Sequence, residues 1–80
     1  MGNREKYDQA FIDTFGVRGT ALNDNFTFKD VPQWDSVAHL SLISSLEDAF
    51  DILFDSEDIL HFGSYMNGKT ILQKYGVIVE

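Results

Sequence analysis

One serine in this chain stands where a hydroxyl could carry something. Ser36 follows Asp35 and precedes Val37, with His39 one helical turn further on. Three chemistries are open to such a group. A hydrolytic relay needs serine, histidine and a carboxylate in line. Taking about 100° per residue, however, the side chains of Ser36 and His39 diverge by about 60°, so a shared helix holds them apart. No glycine-rich elbow surrounds the serine, and His61 is the only other histidine. Catalysis by this chain alone is therefore not expected, and no residue is assigned a catalytic role. The second possibility is a helix cap, for which serine is a preferred residue. The third is a phosphodiester on the hydroxyl. The free N–H groups and macrodipole of a helix start favour negative charge there. Residue type and position alone leave cap and phosphodiester open.

Metal chemistry finds less support. Asp48, Asp51, Asp55 and Asp58 are numerous enough, but their spacing misses the alternating ligands and central glycine of a calcium loop. There are no cysteines, so a thiolate site and a disulfide framework are both excluded. The reading is solvated carboxylates and no metal.

A second helix, from Ser36 to Phe50 or Asp51, must position Ser36. On its wheel Leu42, Ile43, Leu46 and Phe50 share a face, flanked by Ala38 and Ala49; His39 falls in the same arc. A lone histidine there reads as a packed, hydrogen-bonded residue. Val37 and Leu40 project to the other side, among Ser41, Ser44 and Asp48, with Glu47 beside Leu40. Apolar side chains among carboxylates describe a protein-docking surface, with apolar contact for affinity and charge for orientation. The plainer alternative is that a loop covers them.

The rest of the chain builds the frame. From about Asn3 to Phe15, Tyr7, Phe11 and Phe15 recur with Ala10 on one face of a first helix, and Gly16 suits its left-handed end. A long connection runs from Val17 to Asp35, and a loop of that length should be anchored or functional. Its anchors are Leu22, Phe26, Phe28, Val31 and Trp34. A strand over Asn25 to Lys29 competes with this, but has no evident partner. Asp55 or Ser56 caps a short turn through Leu60, and a last helix covers roughly Asn67 to Tyr75, stopping at Gly76. Val77 to Val79 should fold back onto the bundle. The expected architecture is all-α: a small four-helix bundle, three longer helices and one short, with a long ordered loop between the first two. Residues 1–80 allow a single domain.

Charge narrows the partners. Thirteen acidic residues against six basic ones give a net charge of −7. Nucleic acid and anionic membrane both reward lysine and arginine, so neither is expected as a partner. Partners with basic patches, met by electrostatic steering, suit such a surface, as does plain solubility. No apolar run approaches a membrane span or a signal peptide. Met1-Gly2 opens like a myristoylation site, but Lys6 stands where serine or threonine is expected. Asn25-Phe26-Thr27 is a glycosylation sequon without a secretory signal to use it. The expected compartment is the cytoplasm, and the expected state a monomer.

Asp35-Ser36-Val37, followed by Leu40, Leu42, Leu46 and then Glu47-Asp48-Ala49-Phe50, resembles the signature of the acyl carrier protein family. In that family an Asp-Ser-Leu or close variant opens the second helix, and an acidic pair before an aromatic ends it. Trp34 adds to the likeness, since Trp-Asp-Ser is common in free-standing carriers. The resemblance covers nearly the whole chain.

It implies that Ser36 takes a covalent 4′-phosphopantetheine arm from coenzyme A through a separate phosphopantetheinyl transferase, with Asp35 helping that enzyme dock. Val37, Leu40, Ser41, Ser44, Glu47 and Asp48 would form the docking face for enzymes that load and transfer acyl groups, with Glu57 and Asp58 extending it. Acyl groups of fatty-acid, polyketide or other specialised metabolism would travel as thioesters. Ala38 and Ser41 stand where many fatty-acid carriers have an acid, which thins the stripe that the usual fatty-acid synthase partners meet. A peptidyl or aminoacyl carrier, and a carrier-like adaptor that never takes the arm, are the alternatives.

Overall fold

The computed structural model describes residues 2–79; Met1 and Glu80, the ends of the expected 1–80 domain and half of the Met1-Gly2 opening, lie outside them. The first helix, α1 (Asn3–Phe15), buries Tyr7, Ala10, Phe11 and Phe15, the face that their spacing predicts. It ends at Gly16, whose φ of 65° is left-handed and whose N–H reaches the Ile12 carbonyl at 2.9 Å. A single 3₁₀ turn at Gly19–Ala21 starts the long connection.

The second helix, α2 (Ser36–Phe50), buries Leu42, Ile43 and Leu46 and packs along α1. It closes at Asp51, a non-glycine residue with φ 54°, a conformation that aspartate tolerates better than most side chains. The short α3 (Ser56–His61) and then α4 (Tyr65–Gln73) complete an all-helical bundle, as expected. The last helix begins two residues earlier than its predicted start at Asn67. Ser64 supplies the cap there, its hydroxyl accepting the Asn67 N–H at 2.9 Å.

Aromatic rings fill the core. Phe11 lies at its centre, with the rings of Tyr7, Phe26, Trp34 and Tyr65 at 5.0–5.8 Å between centroids. Trp34, Phe26 and Leu22 anchor the long loop as expected, and Val31 is half-buried. Phe28 departs from the expectation: it stays 49 % exposed. The segment set aside as a partnerless strand finds a partner in the α3–α4 connection, through one antiparallel bridge between Thr27 and Ser64. Phe28 N–H donates to Gly63 O at 2.8 Å and Tyr65 N–H to Phe26 O at 2.9 Å. In extended backbone, alternate side chains share a side, so Phe28 follows Phe26, but its ring reaches only Trp34 and His39, at 6.4 Å each, and lines a groove at the surface.

The C-terminal residues fold back, burying Val77 and Val79 and leaving Ile78 exposed. Asn3 ties them down by donating from Nδ2 to Ile78 O at 3.0 Å.

Candidate functional site

Asp35, not Ser36, caps α2. Its carboxylate accepts the Ala38 N–H at 2.8 Å, while its own carbonyl accepts the first helical bond, from His39 N–H, at 2.8 Å. Ser36 is thereby the first helical residue, exposed and released from the capping role that its type alone suggested. Its hydroxyl stands beside the N–H groups of the first turn, which attract negative charge.

Ser36 also stands at the edge of a groove of about 420 Å³. Leu40 of α2 and Ile59 and Leu60 of α3 form its walls, with Phe28 and Phe62 contributing rings. Leu40 is 61 % exposed and Leu60 79 %, so two helices present bare leucines to one opening. Val37, 76 % exposed, continues the apolar surface beside Ser36. Loop coverage of Val37 and Leu40 is excluded by these exposures.

His39 lines the groove as well. Trp34 Nε1–H donates to its Nδ1 at 3.0 Å, and its Nε2 lies 2.7 Å from the Ile59 carbonyl. An indole can only donate and a carbonyl only accept, so Nδ1 is the acceptor and Nε2 carries the proton. One imidazole thus ties together the long loop, α2 and α3. Both nitrogens are committed, so neither is free to take a proton from Ser36.

The acidic residues divide into two groups. Ser41, Ser44 and Asp48 are exposed on the flank of α2 that carries Val37 and Leu40, and Glu57 is exposed on α3. Glu47 is half-buried and has structural work: its Oε2 accepts the Phe54 N–H at 2.9 Å, closing the turn after α2.

Asp58 corrects the expectation of an outward acid extending the docking face. It is 5 % exposed, turned inward onto Lys74 Nζ at 2.6 Å and the Tyr75 hydroxyl at 2.5 Å. Those two bonds hold its carboxyl below the usual carboxylate range. The same contact raises Lys74, while burial followed by the Asp58 bond raises Tyr75. The Tyr75 hydroxyl in turn accepts the Asp55 N–H at 2.9 Å, so this cluster fixes both ends of the turn into α3. Partners sixteen and seventeen residues away gave no local sign of this.

No lysine or arginine stands between Lys29 and Lys69, so α2 and α3 carry acidic and neutral side chains only, with two histidines. Among the described residues, no three acids or histidines gather closely enough to hold a metal ion, and no helix is long and apolar enough to cross a membrane. Sequence reasoning missed the wall residues Ile59, Leu60 and Phe62. Their only signal was an apolar pair beside Glu57 and Asp58.

No protein-family model, curated protein or solved structure matches this chain.

Proposed function

We propose that the chain is a free-standing acyl carrier protein, carrying acyl groups on a 4′-phosphopantetheine arm attached to Ser36. The observation that carries the reading is the position of Ser36: exposed, first in α2, relieved of capping by Asp35, and opening onto an apolar groove. The residues present fit such an arm. A phosphodiester at Ser36 meets the positive end of a 15-residue helix, and the leucines beyond it suit an apolar cargo. The group's terminal thiol supplies the thioester.

The chain itself supplies presentation. Val37 and Leu40 offer partners an apolar contact, and Asp48 on the same flank of α2, with Glu57 on α3, orients a basic patch. Brief, charge-steered encounters suit a carrier that leaves after each visit, and tethering raises the cargo's local concentration without a tight complex. The partners are then a phosphopantetheinyl transferase and the enzymes that load and unload acyl groups. The chemistry belongs to them.

The test is incubation with coenzyme A and a broad-specificity phosphopantetheinyl transferase, followed by intact mass measurement. A gain of one phosphopantetheine that is lost in Ser36→Ala is the expected result. No gain, under conditions that load a known carrier, overturns the reading.

A further inference from the structure

The groove beside Ser36 meets the packed core at His39 and at the ring of Phe62. On the outer side, Leu40, Leu60 and Phe28 line an open, apolar trough with no charged side chain in its walls. On the inner side the space is filled by rings. Trp34 stacks on the imidazole at 6.1 Å between centroids, Phe62 lies edge-on at 6.5 Å, and Phe11 stands behind both at 5.8 Å and 6.4 Å. A chain passing from trough to core on the Trp34 side must displace His39. Doing so strands the Trp34 N–H and the Ile59 carbonyl in a partly buried place, where unmade bonds are costly. Lying in the trough breaks neither.

Resting on the carrier reading, we propose that His39 is a gate. It keeps an unbranched aliphatic chain attached at Ser36 in the surface trough, against Leu40 and Leu60, and out of the bundle interior. The cargo class this favours is a simple acyl chain, covered on one side and open to a docked enzyme on the other. His39 acts here as a positioning residue; it touches the chain's path and leaves its chemistry alone.

The absence of cysteine allows a test without the arm or the transferase. Ser36→Cys gives one thiol, whose thiolate displaces methanesulfinate from octyl methanethiosulfonate and leaves an octyl group joined by a disulfide. Nuclear Overhauser contacts then locate the terminal methyl. Contacts to Leu40, Leu60 and Phe28, with none to Leu46, Leu72 or Phe11, are expected. Adding His39→Ala should move them to Leu46 and Phe11. His39→Gln, whose amide can accept from Trp34 and donate to Ile59, should restore the surface pattern. If His39→Ala fails to fold, His39→Asn, which lacks the reach to Ile59, takes its place. Core contacts with His39 intact, no contact to the trough, or a pattern indifferent to residue 39 would each overturn the proposal. A failure to load coenzyme A leaves this experiment untouched, so the two readings fall separately.

Discussion

Asp35 is a helix cap and, on the carrier reading proposed above, also a docking charge; two substitutions separate the two roles. Asp35→Ala removes the 2.8 Å bond to the Ala38 N–H, which costs about 1 kcal/mol in comparable caps. It also removes a negative charge from the start of α2, worth about 0.5 kcal/mol at an exposed site. The sum, about 1.5 kcal/mol, is large against the roughly 4–12 kcal/mol expected of an 80-residue domain. It should lower Tm by roughly 6–12 °C. Asp35→Asn keeps a side-chain oxygen of the same reach and caps about as well, so its loss should stay near 0.5 kcal/mol or less. If the carboxylate also pairs with a basic residue of the transferase, Asp35→Asn should slow loading by about two- to five-fold at low salt, the range of an exposed ion pair. The effect should fade at high ionic strength. Thermal unfolding followed by far-UV circular dichroism reads the first quantity, and time-resolved intact mass the second. An Asp35→Ala protein that melts with the parent would refute the capping argument. Parental loading by Asp35→Asn at low salt would refute the docking role.

Three further perturbations probe the frame around the site. Gly68→Ala improves helix propensity by about 1 kcal/mol, yet its Cβ would overlap the Tyr7 hydroxyl and the Phe62 ring, both fully buried. Overpacking of that kind costs about 1–3 kcal/mol, so net destabilisation is expected in urea titration, and a gain in stability would show that the rings yield. Asp48→Lys should slow transferase loading at low salt with little change in stability. Glu47→Lys should also destabilise, since it loses the Phe54 N–H bond, and equal melting of the two would contradict that distinction. The lowered carboxyl of Asp58 contributes stability that is present above the ordinary aspartate range and lost as pH falls through its folded value. Lys74→Met should therefore flatten the acid limb of stability against pH; a limb parallel to the parent's would remove the pair from the account.

How much was legible beforehand depends on the range of the forces concerned. The faces of α1 and α2 follow from spacing alone, because burial selects residues three and four apart whatever they pack against. Gly16 ends α1 as its backbone freedom suggests. The direction of Val37 and Leu40 was readable for the same reason, since a helix that buries Leu42 and Leu46 turns those two outward; that no loop covers them came only from the structure. The start of α4 was harder: Asn67 was the expected first residue, whereas Ser64 caps the helix and begins it at Tyr65.

What the sequence by itself determined is the helix that presents Ser36 and the acids that flank it. Periodicity, capping chemistry and net charge are local or summed properties, and need no knowledge of neighbours. Only the tertiary structure decided which residues those neighbours are. The cap on Asp35, which leaves Ser36 free, is a local choice between two adjacent residues that type alone left open. The tertiary structure turned Asp58 inward onto Lys74 and Tyr75, and joined His39 to Trp34 and Ile59 across three segments. Hydrogen bonds act over about 3 Å, so partners distant in sequence are chosen by packing, after the helices have met.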